Sequence, residues 1–323
     1  MLAELEDPFY RGGCRNHHIA LRSTSPSDLT HSALGERRPQ SAGNARALDN
    51  IPHASEVGGL TLTTRIRITD VQICLEDQGK GPALLLLHGF PATRYLWSRV
   101  APLLVDGGFR VIIPDLVGYG ESEAPTGIRI DMSSQARWME ALLDRLGVER
   151  FAVVAHDVGT AAAQLMILNC PERLRGLALL DGVYDGDWAM EAISSIQAWD
   201  PAEAHRLFAV LRRRLGKTDE LREMLGAYQG EQGGVRLIRA SRDLDPRQTE
   251  HIADRVRASG IPTIVLWGER DDFLPLERVG QPLAESLRTT LVLLPGGHFT
   301  PLDCPTPVAD ALRSFLSGLS PDP

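Results

Sequence analysis

The chain has 323 residues, a formal net charge of −8 and four scattered cysteines, Cys14, Cys74, Cys170 and Cys304. The acidic balance leaves no basic footprint for nucleic acid, and no nucleic-acid-binding motif stands in the sequence. The cysteines form no CxxC pair and no metal-ligand spacing, so neither a metal nor a cofactor is expected, and a reducing cytoplasm fits.

Residues 1–58 are rich in Arg, Ser, His, Asn and Pro and carry few apolar residues at any period. They lack the continuous apolar segment of a signal peptide or membrane span and read as a disordered extension, with the folded core starting near Gly59. Leu60 to Ile68 and Val71 to Leu75 read as an antiparallel opening pair. Ala83 to Leu87 is a continuous apolar run, as expected of a parallel strand buried on both faces, and it ends in His88-Gly89-Phe90-Pro91. Phe109 to Ile113 is the next strand, followed by the loop Pro114-Asp115-Leu116-Val117-Gly118-Tyr119-Gly120-Glu121-Ser122. A helix over Met132 to Leu146 starts from Asp131 as its N-cap. Phe151 to Ala155, Leu177 to Leu180, Thr263 to Trp267 and Leu291 to Leu294 read as further strands, and Thr306 to Leu316 as the last helix. This alternation predicts an α/β fold, a mostly parallel eight-stranded sheet flanked by helices with its site at the C-terminal edge.

Between the sixth and seventh strands, residues 183–259 read as a helical cap, leaving 59–182 and 260–323 as the core. Glu203 to Leu215 and Asp219 to Tyr228 carry apolar residues at helical spacing, and Arg212-Arg213-Arg214 reads as a solvated face.

The most informative stretch is Val153-Val154-Ala155-His156-Asp157-Val158-Gly159. An apolar strand runs into a tight turn with small residues two before and two after a central acid, which is the spacing of a nucleophile elbow. The small flanks are needed where neighbouring backbone leaves no room for a larger side chain. Asp157 is also a good helix N-cap, but the surrounding elbow gives it a chemical reading. A Ser or Cys at that point attacks carbonyl carbon and forms an acyl-enzyme. A carboxylate attacking a carbonyl would give an anhydride that reverts easily. Attack on a saturated carbon with a strained or good leaving group gives an ordinary alkyl ester on Asp157, which water can then hydrolyse. The substrates that fit are epoxides and alkyl halides.

The turn at His88-Gly89-Phe90-Pro91 can aim the Phe90 N–H at the elbow, where with the Val158 N–H it makes an oxyanion hole. The strand at 263–267 ends in the acid-rich loop Glu269-Arg270-Asp271-Asp272-Phe273-Leu274-Pro275, and the strand at 291–294 leads into Pro295-Gly296-Gly297-His298-Phe299. The order nucleophile, acid, His follows the α/β-hydrolase triad. From about Val71 to Leu319 the chain resembles an α/β-hydrolase. The His-Gly-Phe-Pro and His-Asp-Val-Gly motifs, with the loop from Pro114 to Ser122, resemble the epoxide hydrolase and haloalkane dehalogenase branch.

That resemblance implies that Asp157 attacks carbon and is esterified, and that His298 then acts as general base on water for the second half-reaction. It implies Asp271, four before Pro275, as the acid that orients His298, with Asp272 and Asp181 as alternatives. His88 reads as a brace for its own loop, and His156 as pointing away from Asp157. Epoxide hydrolases of this branch use two cap tyrosines to donate to the epoxide oxygen. Here the cap offers Tyr228 and Tyr184, with Tyr228 as the expected donor. Haloalkane dehalogenases need N–H donors for the halide, commonly a Trp after the nucleophile and an Asn after the His-Gly pair. Val158 and Phe90 stand there instead, leaving Trp97 as the substitute candidate. Fluoroacetate dehalogenases use Arg residues just after the nucleophile, and Val158-Gly159-Thr160-Ala161 has none. The favoured reading is an epoxide-opening hydrolase acting on a small apolar substrate with water. Its alternatives are a haloalkane dehalogenase, a biosynthetic tailoring enzyme, or a non-catalytic ligand-binding protein on the same fold.

Overall fold

A computed structural model describes residues 63–215 and 218–319. The expected extension at 1–58 lies outside the described residues. All eight expected strands are present: β1 (Thr63–Ile68), β2 (Val71–Gln78), β3 (Ala83–Leu87), β4 (Arg110–Pro114), β5 (Phe151–His156), β6 (Leu174–Leu180), β7 (Thr263–Gly268) and β8 (Thr290–Leu294). They form one sheet in the order β1-β2-β4-β3-β5-β6-β7-β8, antiparallel at β1–β2 and β2–β4 and parallel from β4 to β8.

β2 runs three residues beyond its expected end, through Glu76-Asp77-Gln78 paired with β4. A cross-strand ion pair holds this polar tail, with Arg110 donating to both oxygens of Asp77 at 2.9 and 2.7 Å. Apolar patterning carries no signal for such a segment. The middle of the sheet follows the sequence closely: β3 and β5 are buried along their whole length and pair directly, with Leu87 opposite Ala155. That register sets the loop after β3 beside the elbow after β5.

The helices are α1 (Ala101–Asp106), α2 (Met132–Arg145), α3 (Gly159–Asn169), α4 (Glu191–Gln197), α5 (His205–Leu215), α6 (Thr218–Leu225), α7 (Gly230–Arg242), α8 (Ala253–Ala258), α9 (Gln281–Leu287), α10 (Thr300–Asp303) and α11 (Pro305–Ser317). α1 packs on α11, while α2 packs on α3 and α8 on α9, so helices cover the sheet from two sides. Asp131 caps α2 by accepting from the Ser134 N–H at 2.9 Å. Helices α4 to α8 lie between β6 and β7; α4 and α5 line the cavity over the C-terminal strand ends, and α8 packs on α3 and α9 beside the sheet.

A buried acid folds the loop after β4. The Asp115 carboxylate accepts from the Arg94 and Glu121 backbone N–H groups at 2.7 and 2.8 Å and pairs with the Arg94 guanidinium. Arg94 also meets Glu121 and Glu76, so one guanidinium sits among three acids around this turn.

At the start of α3 the chain passes very close to the loop after β3. A Cβ at Gly159 would stand 2.3 Å from the His88 carbonyl oxygen, a backbone atom held by its own strand. Ala favours helix over Gly by about 1 kcal/mol, but overpacking against backbone outweighs that gain. Gly159→Ala is expected to lower stability by about 1–3 kcal/mol. Urea unfolding checks this as a lower midpoint with an unchanged slope.

Candidate active site

Four segments meet at the C-terminal ends of β3, β5, β7 and β8. Asp157, just after β5, has φ of 52°, a left-handed conformation that a non-glycine residue holds only where its surroundings impose it. The turn lifts its carboxylate towards the loop after β3. There Oδ1 accepts from the Phe90 N–H at 2.7 Å, and the Val158 N–H donates to the same carboxylate. Gly89 has to be glycine, because a Cβ there would lie 2.2 Å from Asp157 Oδ1.

The other oxygen, Oδ2, lies 3.6 Å from His298 Nε2. On the far side of the ring, His298 Nδ1 donates to Asp271 Oδ2 at 2.9 Å. Asp271 is itself fixed, its Oδ1 accepting from the Phe273 and Leu274 N–H groups at 2.9 Å each. Of the three acids the sequence left open, Asp271 is therefore the one hydrogen-bonded to His298. Its neighbour Asp272 is exposed. Asp181 is fully buried after β6, where it accepts from the Gly268 N–H and the Thr300 hydroxyl and joins the ends of β6 and β7 to α10.

The charges of these groups depend on one another. Burial pushes Asp157 up, and although the His298 charge and the Val158 and Phe90 N–H groups pull it down, it settles at about 6. Burial alone would lower His298. The Asp271 charge and hydrogen bond outweigh that, with help from Asp157 and Asp181, and hold it at about 9. At neutral pH the resting pair is thus carboxylate and imidazolium. Burial, and then the Asp271 charge, push Asp181 well above the usual carboxylate range.

Both remaining histidines near the site are structural. His88 Nε2 accepts from the Leu116 N–H at 2.9 Å and its Nδ1 lies 2.9 Å from the Gly89 carbonyl, so it braces its loop as a neutral ring. His156 Nε2 lies 2.7 Å from the His298 carbonyl and must carry its proton there, because a carbonyl only accepts. Its ring centroid stands 4.8 Å from that of His298. The strand and elbow pattern gave no sign of this bond between the residue before Asp157 and the backbone of the distant histidine.

A cavity of about 50 Å³ opens over Asp157 and His298. Its walls are apolar, with Phe90, Val158 and Phe273 from the core and Ile193, Leu207 and Leu211 from the cap. Trp188 also lines it, but its Nε1 donates to the Thr249 hydroxyl at 2.8 Å.

The expected cap donors are placed elsewhere. Tyr228 is buried with its hydroxyl 3.4 Å from the Ala92 carbonyl, and it lines a separate outer cavity. It stands in the 3-10 turn Gly226–Tyr228 just past α6 and is not among the residues that line the cavity over Asp157. Tyr184 is held in a short bridge with Asp187, and its side chain is not part of the inner wall. Trp97 is fully buried in the core beneath the 3-10 turn Arg94–Trp97 and does not reach the cavity.

Among the described residues, Cys74, Asp115 and Glu121 have ligand-type atoms within 4.8 Å of one another. The Arg94 guanidinium already neutralises the two acids, and burial pushes the Cys74 thiol up to about 12, so the set is a salt-bridge network lacking a thiolate ligand. No helix of the described residues is long and apolar enough to cross a membrane.

Residues 82–214 match a family described as alpha/beta hydrolase fold. A thermophilic esterase from Thermogutta terrifontis superposes with a TM-score of 0.65 at 26% identity, covering 79% of this chain and 98% of that one. The chain has the alpha/beta hydrolase fold. Within that fold it is similar to a fluoroacetate dehalogenase from Burkholderia sp., 42% identical over 120 residues, which are 36% of this chain and 39% of that protein. It is also similar to bifunctional epoxide hydrolase 2 of Sus scrofa, 37% identical over 112 residues, or 34% of this chain and 20% of the relative. The chain thus spans well under half the length of these two relatives.

Two expectations follow from this geometry. His298, raised above its ordinary 6.5, contributes stability that is fully present below pH 6.5 and is lost as pH rises through about 9. Unfolding free energies of the wild type should fall by about 2–3 kcal/mol across that window, and those of His298→Gln should stay level. Tyr228→Phe should leave turnover within about twofold, because one weak buried hydrogen bond away from the cavity is lost. Steady-state kinetics on any converted substrate checks the second.

Proposed function

We propose that this protein opens epoxides on small apolar substrates through an alkyl ester on Asp157. The observation that carries this reading is the placement of the carboxylate itself. Oδ1 is held by the Phe90 N–H, the Val158 N–H donates to the same carboxylate, and Oδ2 faces His298 beside the apolar cavity. Asp157 Oδ2 attacks a ring carbon, the strained carbon–oxygen bond breaks, and the released oxygen takes up a proton. His298 then takes a proton from water, and the resulting hydroxide adds to the Asp157 carboxyl carbon. The Phe90 and Val158 N–H groups stabilise the oxyanion that forms on Oδ1. Collapse breaks the ester bond, His298 returns its proton to the leaving oxygen, and a diol departs.

The proton balance favours an epoxide over a halide. Of the inner-wall side chains, Asp157 and His298 are the titratable ones, and the Trp188 N–H is committed to Thr249. The protonated His298 lies beside Asp157 and speeds protonation of the opening oxygen, a proton that bulk water supplies more slowly when the ring is absent. Esterification then removes the Asp157 charge that helped hold His298 protonated, which leaves a neutral ring ready to act as base. A departing halide takes up no proton, and neither Phe90 nor Val158 offers it a side-chain N–H. Asp271 orients the ring throughout, and Asp181 with His156 secures the backbone behind it. The Cys74, Cys170 and Cys304 side chains are buried, and a reducing cytoplasm is the compartment we infer.

Intact mass of His298→Ala after long incubation with a mixture of terminal epoxides and alkyl bromides tests this reading. The expected result is a slow gain equal to a whole epoxide, approaching one adduct per chain and mapping to Asp157. Asp157→Asn should show none. A gain equal to an alkyl group without its halogen would make the protein a dehalogenase. No adduct from either compound class overturns the mechanism.

A further inference from the structure

The cap holds a second and larger cavity of about 770 Å³, lined by Pro201, Ala204, Phe208, Tyr228 and Val235 with Asp200 and Glu231 among its polar groups. It opens towards solvent, since the Val235 side chain is 51% exposed. The inner cavity over Asp157 is closed on its cap side by Leu207 and Leu211. Leu207, Phe208 and Leu211 belong to α5, and Ala204 is the residue just before its first turn. Leu207 and Leu211 are four apart and line one face, and Ala204 and Phe208, again four apart, line the neighbouring face about 100° away. The two cavities therefore lie against neighbouring faces of one stretch of chain, and the side chains that bound the inner cavity beside Phe208 are those of Leu207 and Leu211, each 1% exposed.

We propose that Leu207 and Leu211 set the length of apolar chain this protein accepts, acting as a removable floor between the reaction cavity and an outer cavity that can hold the rest of an unbranched chain. This rests on the reading of Asp157 as the attacking group, because that reading fixes where the reactive end of the substrate lies. A short substrate fills the inner cavity against the leucines. A longer one meets them, and each further methylene finds no apolar contact until the floor is removed. Past the floor, Phe208 and Ala204 continue an apolar path.

The test is calorimetric binding of the n-alkanols from ethanol to octanol, which share the hydroxyl-bearing end of the proposed product and do not react. In the wild type, affinity should rise over the first members and then level off. In Leu211→Ala it should keep rising, with octanol binding about tenfold tighter than to the wild type and ethanol unchanged, as expected for a few newly buried methylenes. Adding Phe208→Trp to Leu211→Ala refills the path and should abolish the gain. Leu211→Val, a smaller truncation, gives the same comparison with a smaller gain if the alanine variant does not fold by circular dichroism. Parallel profiles for wild type and variants overturn the proposal, as does an equal gain for ethanol and octanol, which would mean general loosening. The readout needs no turnover. A missing adduct on His298→Ala therefore overturns the chemistry and leaves the chain-length result to stand or fall alone.

Discussion

The site depends on how the backbone holds one carboxylate oxygen. Asp157 Oδ1 accepts from the Phe90 N–H, and the Val158 N–H donates to the same carboxylate. Asp157 must therefore occupy a left-handed turn and Gly89 must lack a side chain, and Gly159 must let α3 start against the His88 carbonyl. It also requires β3 and β5 to be neighbours in register, since the two donors come from the loops that end those strands. With one oxygen pinned, the other has a defined direction, towards His298 and the cavity. The same N–H groups that steady the resting carboxylate are in place for charge that develops on that oxygen later, which is how a preorganised site avoids reorganisation during reaction.

Around that point the buried charges form a chain with alternating sign. Asp157, His298 and Asp271 run carboxylate, imidazolium, carboxylate, and all three side chains are largely shielded from water. In such surroundings each charge is tolerable only because of the next. The Asp157 charge is one of those that raise the proton affinity of His298, so the two groups are coupled through their charges. Asp181 and His156 lie behind this row and contact it through backbone. Their hydrogen bonds to Gly268, Thr300 and the His298 carbonyl hold the ends of β6, β7 and β8 together, so the loops bearing Asp271 and His298 keep their spacing.

The cap answers to different forces. Its contribution over Asp157 is apolar, and the polar groups nearest the inner wall are spent on internal bonds such as Trp188 to Thr249. A dry wall strengthens the electrostatics beneath it. It also means that selectivity on this side is a matter of shape and buried area. Arg236 and Arg239 tie α7 to the carbonyls of the loop at 120–128, anchoring the cap to the core beside the reaction cavity.

Much of this was legible in the chain because it is local. The buried strands read as apolar runs, the elbow as small residues flanking an acid, and the candidate triad as the order Asp157, Asp271, His298 along successive strand ends. Each of these signals sits within a few residues, or follows from the topology that alternating strands and helices impose. The polar extension of β2 was not legible, since an ion pair with Arg110 holds it in place of a periodic pattern. The choice of Asp271 over Asp181 needed coordinates, because both acids follow adjacent strands and only the side-chain direction separates them. Tyr228, Tyr184 and Trp97 were misplaced for the same reason: residue type says that a group can donate a proton, and only packing says where it points. The sequence by itself determined the fold and singled out Asp157 at the elbow, whose requirements are written in backbone geometry. The tertiary structure decided which acid meets His298 and what the cap presents to a substrate, because those depend on contacts between segments that the chain order leaves free.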